Sequence, residues 1–287
     1  MERKPYSELT IIDNFMFTEV FRDETLMTEL LRRVLPEEEI GRQKIVIKEM
    51  TVSPVYLKRG VRFDVYSEDG THLFDVEMQA GIQENLFDRA IVNLSNLIVH
   101  SKNPSEPFQL KGKFFVIFFC AYDETKTGRL MEHYTFKNEN GTDDMEQAHI
   151  IIVNCPVKAE DHPSIRPFAD YVTDGTNTMD DPFVREVESA VQLKKKDREA
   201  EDRYMNYEYE LYCAKKEGIE EGRKEGRKEG IRDGESIGMI RMYDAFLEIG
   251  MNEEESAAKT AGAFRKTIPE VLQAVAERES ILPESDS

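Results

Sequence analysis

The sequence predicts an α/β domain followed by a helical appendage. Alternating apolar and polar residues flank a turn at Asp69-Gly70, and apolar residues recur at helical spacing before and after this hairpin. The two periods, two residues and about 3.6 residues, distinguish strands from helices. Residues 182–238 contain mostly charged side chains and regularly spaced glycines, which is typical of an exposed helix or a tether. A length of 287 residues accommodates one sizeable domain with such an appendage.

Residues 1–181 contain the predicted domain, in which each element follows from a local pattern. Apolar residues at helical spacing predict the helices, and Asp13 stands where the first helix would have its N-cap. The longest apolar run is too short for a membrane span and predicts a buried strand. Scattered prolines over 156–182 predict irregular packing over the core. In order, the elements are a helix over about 14–35, a strand near 44–53, the hairpin, a helix over about 83–101, the buried strand over 114–122, and strand-like segments over 130–137 and 149–154.

The C-terminal part of the sequence predicts three further segments. Asp181 and Pro182 form a clear helix start, as N-cap and first helical residue, for a long charged helix over 182–238. A small helical segment over 239–279 follows, and then an acidic, disordered tail over 280–287. A helix-turn-helix DNA reader within the small segment is conceivable, but its many acids favour a capping or oligomerising unit.

Glycines at a spacing of four mark the end of the charged helix, at Gly218, Gly222, Gly226, Gly230, Gly234 and Gly238. In a helix this spacing nearly repeats the period of the turns, so the glycines would form one slowly winding stripe. Each glycine costs roughly 1 kcal/mol relative to alanine, so the isolated helix is poor. A flexible, solvated tether is one interpretation. We favour a conditional helix that pairs with a second copy, which predicts a homo-oligomer.

The hairpin brings acidic residues together. If Asp69-Gly70 is a two-residue loop, Asp64 lies opposite Asp75, with Glu77 on the diagonal. The same face also carries Arg62, Tyr66 and Gln79. Like charges that face each other in a sheet are destabilising, so the patch requires a cation, and carboxylate oxygens suit Mg²⁺ or Mn²⁺. The alternative is a solvated, acidic face of an edge hairpin.

Three stretches of the sequence resemble a known nuclease family, namely residues 9–17, 60–65 and 74–79. The hairpin, with its Glu-x-Gln ending, resembles the active-site hairpin of the PD-(D/E)XK nuclease superfamily. More narrowly, the chain is similar to the Rpn family of recombination-promoting nucleases, also called PD-(D/E)XK family transposases. The resemblance covers most of the chain, with a weak match near 156–180. It implies a restriction-endonuclease-like core, in which helices flank a mixed central sheet, with a helical C-terminal extension.

The same resemblance implies a DNA endonuclease that hydrolyses phosphodiester bonds with Mg²⁺ or Mn²⁺. Asp64 corresponds to the family's metal-binding aspartate and Glu77 to its second carboxylate ligand, and Gln79 would orient the attacking water. Gln79 stands where the superfamily has a lysine, although glutamine is usual in the narrower family. Because glutamine supplies no charge, a second metal ion or a cation such as Arg62 or Arg89 must supply it. A catalytically weak or inactive DNA- or partner-binding module is the alternative function.

Contacts with DNA are predicted from local charge. The net charge of −19 opposes unselective nucleic-acid binding, but residues 42–62 are locally basic and end with Lys58, Arg59 and Arg62 beside the hairpin. This basic island could follow a phosphate backbone, whereas an ordinary mixed surface is the alternative. Arg89, on the next helix, could reach a phosphate or could pair with a surface acid.

The opening helix supplies two further acidic candidates. In the fold that the resemblance implies, the first helix can add an acidic residue to the metal site, and Asp13 or Glu19 could be that residue. For Asp13 we favour the alternative of a helix N-cap, since aspartate is a preferred capping residue and position 13 stands where the helix would begin. A role of Asp13 at the metal or the substrate is the second interpretation.

The cysteines and the apolar segments predict the compartment. Cys120 and Cys155 lie inside or beside apolar strand-like runs, which predicts buried free thiols in a reducing cytoplasm. The N-terminus lacks the apolar core of a signal peptide, and no membrane partner is predicted. The sequence does not indicate which DNA is preferred, or whether the role is transposition, recombination or defence.

Overall fold

A computed structural model of the chain describes residues 4–45, 65–82, 84–101, 110–175 and 180–278. The chain forms two compact units, which adjoin in sequence between Met205 and Asn206. The first unit is a mixed sheet flanked by helices and the second is helical, which confirms the predicted α/β class and the helical C-terminal region. The first unit extends beyond the predicted domain end at residue 181.

The first unit contains most of the secondary structure. Its described strands are β1 (Lys44–Ile45), β2 (Val65–Glu68), β3 (His72–Gln79), β4 (Lys113–Cys120), β5 (Met131–Lys137) and β6 (Asp143–Asn154). Its helices in the described residues are α1 (Asn14–Val20), α2 (Glu24–Val34), α3 (Leu86–His100), α4 (Arg166–Asp174) and α5 (Pro182–Lys194). Three later helices are α6 (Arg198–Glu248), α7 (Glu253–Phe264) and α8 (Ile268–Ala276).

The strands described form one sheet in the order β1-β2-β3-β4-β6-β5. Strands β3, β4 and β6 run parallel at its centre, whereas β1, β2 and β5 are antiparallel to their neighbours. The uninterrupted apolar sequence of β4 fits its central position, because a parallel strand is buried on both faces. Helix α3 connects β3 to β4 and completes a β-α-β unit.

The two faces of the sheet have different cores. On one face, α3 packs on alternate residues of β4 and β6, and this cluster contains Leu86, Ala90, Leu94, Leu97, Phe114, Val116, Phe118, Cys120, Ala148, Ile150 and Ile152. On the other face, Phe119 of β4 contacts aromatic rings of α1 and α4, with ring centroids 6.2 Å from Phe17 and 5.3 Å from Phe168. We call these two sides the α3 face and the α1 face.

The register of the hairpin differs from the predicted one. Tyr66 lies opposite Asp75, so the prediction that Asp64 faces Asp75 is wrong by two positions. A displacement by an even number leaves every side chain on the same face. Asp75, Glu77 and Gln79 therefore still share the face that was predicted for them, with Tyr66 beside them.

The turn explains the displacement. Asp69 accepts backbone hydrogen bonds from Thr71 (2.9 Å) and His72 (2.7 Å), and its own N–H donates to the carbonyl of His72. The two-residue loop is therefore Gly70-Thr71, one position later than predicted. Gly70 has φ +89°, and a type II′ hairpin turn requires such a glycine at its first central position.

The predicted opening helix over 14–35 is two helices. The first ends at Val20, and Asp23 caps the second, since its carboxylate accepts hydrogen bonds from the backbone N–H of Thr25 (2.8 Å) and Leu26 (3.1 Å). The break is not visible in the apolar pattern, because both helices bury an apolar face and the helical spacing of apolar residues continues from one to the other.

The segment 156–182, predicted to be irregular, contains α4. This helix buries Phe168, Ala169, Tyr171 and Val172, and it ends at Gly175 with φ +67°. Its proline lies in the first turn, where a missing N–H costs nothing. The prolines were therefore helix-start signals as well as loop signals.

The long charged helix predicted over 182–238 is also divided. Asp181 caps α5 as predicted, with a bond from the N–H of Val184 (3.1 Å), but α5 ends at Lys194. Asp197 then accepts from the N–H of Glu199 (3.0 Å) at the start of α6, which runs without interruption to Glu248. The prediction missed this second cap because the charged pattern continues across it.

The second unit is a small helical cluster at the end of the chain. Gly250 follows the end of α6 with φ +92°, and Asn252 caps α7 with a bond from the N–H of Glu255 (2.9 Å). Thr267 and Glu270 form a capping box at the start of α8. The apolar contacts of these helices bury Met239, Ile240, Tyr243, Ala257, Ala261, Val271 and Ala274.

Three remaining predictions concern single features. The predicted strand near 44–53 is present as Lys44–Ile45, and residues 46–53 lie outside the described part of the chain. Cys120 and Cys155 are buried and free, as predicted. Within the described ranges, none of the helices combines the length and the apolar character that crossing a membrane requires.

Candidate functional site

Three polar side chains interrupt the α3 face of the buried strand β3. Asp75, Glu77 and Gln79 alternate along the strand, and each is at most 3% exposed. Their neighbours on β4 are Val116, Phe118 and Cys120, all apolar and buried. Polar and charged groups in such surroundings are costly unless they are hydrogen-bonded or paired, so three polar side chains on one strand indicate a specific arrangement.

Helix α3 supplies the partners of the two carboxylates. The amide nitrogen of Asn93 donates to Asp75 Oδ2 (2.9 Å) and to Glu77 Oε1 (2.6 Å), and so bridges the two acids. One turn earlier, the Arg89 guanidinium donates to Glu77 Oε2 (2.8 Å) and to Gln79 Oε1 (3.1 Å). Residues four apart lie on the same side of a helix, so one face of α3 presents both partners to β3.

Gln79 completes the arrangement. Its amide nitrogen lies 3.3 Å from Glu77 Oε2, which therefore accepts from Gln79 as well as from Arg89. If both carboxyl groups are ionised, the acids and the single guanidinium carry one negative charge in excess. Arg89 is the outermost member, because its side chain is 39% exposed whereas that of Glu77 is 1% exposed. The cluster is thus acidic inside and open towards solvent only at its arginine.

The structure brings together three of the residues that the sequence singles out. Glu77, Gln79 and Arg89 contact one another directly. Of the two alternatives for Arg89, pairing with an acid is the one observed, although the acid is buried rather than at the surface. The guanidinium also lies 5.7 Å from the ring centroid of Phe118.

The other half of the predicted site lies outside the described residues. Asp64, the first predicted metal ligand, directly precedes Val65 in the sequence. Together with Arg62 and the basic residues Lys58 and Arg59, it falls within 46–64. Pairing of Asp64 with Glu77 and contact of this island with DNA therefore stay predictions.

Asp13 lies at the predicted N-cap position of α1, but its side chain does not cap that helix. Asp13 Oδ2 instead accepts from the backbone N–H of Thr10 (2.7 Å) and pairs with Lys4. The carboxylate thus stabilises the turn before the helix. Its observed partners give no support to a role at the metal or the substrate.

Glu19 belongs to an ion cluster of the α1 face. Its buried carboxylate pairs with Arg22 (2.7 Å), Arg203 (2.7 Å) and Lys194 (3.4 Å). Burial alone would raise the pKa of Glu19, but the bond from Arg203 and the surrounding positive charges outweigh it and lower the pKa. The alternative that Glu19 joins Glu77 in one metal site is wrong, because the two side chains lie on opposite faces of the sheet.

Asn93 is the site residue that the sequence prediction missed. It stands among the apolar residues that point inward from α3, between Ala90 and Leu97, and is 4% exposed. A polar side chain on the inner stripe of an amphipathic helix is the signal that could have identified it.

The cluster presents oxygen atoms, the type of ligand that a hard cation prefers. Asp75, Glu77 and Gln79 present carboxylate and amide oxygens, which Mg²⁺ and Mn²⁺ prefer. Within the part of the chain that the structure describes, no group of three or more His, Cys, Asp or Glu side chains is arranged to hold a metal ion. The described residues thus contribute two acidic groups, and Asp64 is the third carboxylate of the prediction.

Comparisons with known proteins do not identify a family. No protein-family model, no curated protein and no solved structure matches this chain. The functional interpretation therefore depends on the residues themselves.

Proposed function

We propose that this protein is a metal-dependent DNA endonuclease that hydrolyses phosphodiester bonds, with a restriction-endonuclease-like core and a role in recombination or transposition. The observation that carries the proposal is the buried carboxylate pair of Asp75 and Glu77, followed by Gln79, on one face of β3. Asn93 bonds to both buried acids and Arg89 bonds to Glu77, and a cation held between the acids would offset their mutual repulsion.

Asp64 and Glu77 would hold Mg²⁺ or Mn²⁺ in this proposal, with Asp75 beside them. When bound, the ion would polarise the scissile phosphate and lower the pKa of the attacking water. Asn93 keeps Asp75 and Glu77 together through its two hydrogen bonds. Gln79 orients the water, and the positive charge that a glutamine lacks comes from Arg89, the exposed cation of the cluster, and from Arg62.

One observation favours a second candidate function, a nuclease-fold module that binds DNA or a protein partner without vigorous catalysis. Both ends of the Gln79 amide are engaged, with Glu77 on its nitrogen and Arg89 on its oxygen. In this arrangement Gln79 holds the cluster together, and orienting water would require a new hydrogen-bond pattern.

The decisive experiment is plasmid cleavage with Mg²⁺ or Mn²⁺ by the wild type, Asp64→Ala and Glu77→Ala. Asp88→Ala is the matched control, because it removes an exposed acid from the first turn of α3. We expect nicking by the wild type and the control, and its loss in both site variants and in EDTA. Cleavage that survives both site substitutions would contradict the proposal. A wild type that cleaves no form of DNA at any salt concentration would favour the binding module.

Self-association through α6 is a second part of the proposal. A Cβ atom added at any glycine from Gly218 to Gly234 would meet nothing within 4 Å, so the stripe is smooth and unobstructed within the chain. A second copy of the helix could approach such a surface closely. Sedimentation of wild type and of Gly226→Leu/Gly230→Leu tests this: we expect the wild type to be an oligomer and the variant to be a monomer. Equal masses would exclude the stripe as the contact.

A further inference from the structure

The Arg89 guanidinium occupies the same oxygen atoms that a cation would need. It lies 2.8 Å from Glu77 Oε2 and 3.1 Å from Gln79 Oε1, on a strand where both residues are otherwise buried. A metal ion bound by Glu77 through this oxygen would displace Arg89 or share the carboxylate with it. Sharing is unfavourable, because it would place a divalent cation beside a guanidinium in a site of low dielectric.

We infer that Arg89 is a built-in counter-ion that competes with a divalent cation for Glu77, so that the protein binds the ion only when Arg89 is released. The inference deepens the proposed nuclease site and rests on it. Arg89 is suited to leaving, since its side chain is long and partly exposed whereas the acids are not. In the absence of the ion, Arg89 prevents the repulsion of two buried carboxylates.

Asn93 has the opposite role, although it lies only one turn away on the same helix. Its amide is neutral and buried, and it bonds to one oxygen of each acid, Asp75 Oδ2 and Glu77 Oε1. A neutral donor does not repel an incoming cation. Asn93 therefore positions the carboxylates in both states, and Arg89 alone changes place.

The test is titration of the full-length protein with Mn²⁺, followed calorimetrically and by the electron paramagnetic resonance of free Mn²⁺. Three proteins are compared, namely the wild type, Arg89→Gln and Arg22→Gln. Arg22 is the matched control because it also pairs with a buried glutamate, at 2.7 Å from Glu19, and its loss changes the net charge equally. We expect Arg89→Gln to bind Mn²⁺ about tenfold more tightly than the wild type, and Arg22→Gln to bind as the wild type does.

Equal or weaker Mn²⁺ binding by Arg89→Gln would overturn the inference, and so would a similar gain in Arg22→Gln. A purely structural role for Arg89 predicts weaker binding, because loss of the arginine would disorder the acids. If Arg89→Gln does not fold, Arg89→Lys replaces it: lysine retains the charge without the two-pronged contact, and a smaller gain in affinity is expected.

Plasmid cleavage separates failure of this inference from failure of the proposed function. Tighter Mn²⁺ binding by Arg89→Gln without cleavage by any variant would support the competition and reject the nuclease. Cleavage by the wild type that depends on Glu77, together with unchanged Mn²⁺ affinity in Arg89→Gln, would support the nuclease and reject the competition.

Discussion

Glu19 and Glu77 are both buried glutamates in the same compact unit, but their surroundings are opposite. Three cations from three different segments contact Glu19, which lies on the α1 face. Glu77, on the α3 face, accepts from one arginine and shares one asparagine with a second buried acid, Asp75. Among the described contacts, Glu19 pairs with three cations and Glu77 with one.

The difference separates a buried acid with a structural role from the acids that we propose to bind a metal ion. A carboxylate with surplus cations has no capacity for another positive ligand, and its charge joins distant segments of the chain. A carboxylate beside another carboxylate is repelled by it, so a divalent cation between the two would be favourable. Glu19 and Glu77 are equally buried, so the number and the charge of the groups that contact each carboxylate distinguish the two sites.

The largest effect is expected from neutralising the structural acid. Glu19→Gln would leave Arg22, Lys194 and Arg203 close together without their carboxylate, and we expect a loss of about 3 kcal/mol in the free energy of unfolding. Glu77→Gln should cost markedly less, because it relieves the repulsion from Asp75. Urea unfolding of both variants in EDTA measures this difference. Equal costs would remove the distinction between the two sites.

A buried group with no ion partner extends the comparison. His149 stacks on Phe115 and lies 3.0 Å from His133; burial, together with the charge of His133, lowers its pKa from 6.5 to about 4. The unfolded chain therefore binds more protons between these values, and stability should fall as the pH falls from about 6.5 to about 4, by at most about 3 kcal/mol.

Urea unfolding at pH 7 and at pH 4.5 tests this expectation, with His149→Asn as the comparison. The variant keeps a hydrogen-bonding group but cannot titrate, so it should lose less stability than the wild type over this range. An identical pH dependence in the two proteins would assign the acid sensitivity to carboxylates such as Glu19, whose lowered pKa has the same sign of effect.

A smaller effect is expected when a third carboxylate is added beside Asp75 and Glu77, the acids of the proposed metal site. Asn93→Asp replaces the bridging donor by a carboxylate, so in EDTA we expect a loss of about 2 kcal/mol from lost hydrogen bonds and added repulsion. Millimolar Mn²⁺ should restore much of the loss, since three acids suit a divalent ion. Thermal unfolding with and without Mn²⁺ checks this.

Ser95→Asp is the control for that substitution, because it places the same charge at an exposed position of α3. It should change stability by no more than about 0.5 kcal/mol, with no response to Mn²⁺. If Mn²⁺ stabilises both variants equally, the ion binds the acidic surface in general and the α3 face has no special capacity for it.

The smallest effect is expected where no buried charge exists, in the glycine stripe of α6. Gly230→Ala meets open space and should stabilise the helix by about 1 kcal/mol, whereas a Cβ at Gly238 would lie 2.8 Å from the Phe264 ring and should destabilise it. Helicity and thermal unfolding by circular dichroism compare the two. A gain at both positions would show that Phe264 moves without cost.

Local periodicity predicted most helices and strands of the first unit. It did not predict features that depend on single side-chain hydrogen bonds, namely the register of the hairpin and two helix caps. The alternation along β2 and β3 placed Asp75, Glu77 and Gln79 on one face correctly. It could not fix the register, because the two-residue loop could be Asp69-Gly70 or Gly70-Thr71. The hydrogen bonds that the Asp69 carboxylate accepts from the N–H groups of Thr71 and His72 select the second. The helix caps at Asp23 and Asp197 were missed because the apolar pattern continues across the first and the charged pattern across the second, and an aspartate there has no distinctive signal.

The candidate site was only half predictable, because its partners are set by tertiary contacts. The sequence identified Glu77 and Gln79 from the hairpin and Arg89 from the next helix. Asn93 bridges the two acids because of the rotation of α3 about its axis above β3. The apolar periodicity of a helix predicts this rotation only to within a residue or two. The three cations around Glu19 come from positions as far apart as Arg22 and Arg203, and no local pattern connects them.

The long-range pairing of Glu19 has a consequence for synthesis on the ribosome. Arg203 follows Glu19 by 184 residues, and at about 5–20 residues per second it appears roughly 10 to 40 s later. Lys194 precedes Arg203 by nine residues, so until Lys194 appears Arg22 is the one of the three cations of Glu19 that has been made. Tyr6 and Phe15 therefore lack their ring contacts with Tyr204, at centroid distances of 5.6 Å and 5.1 Å, until the chain past residue 204 has emerged.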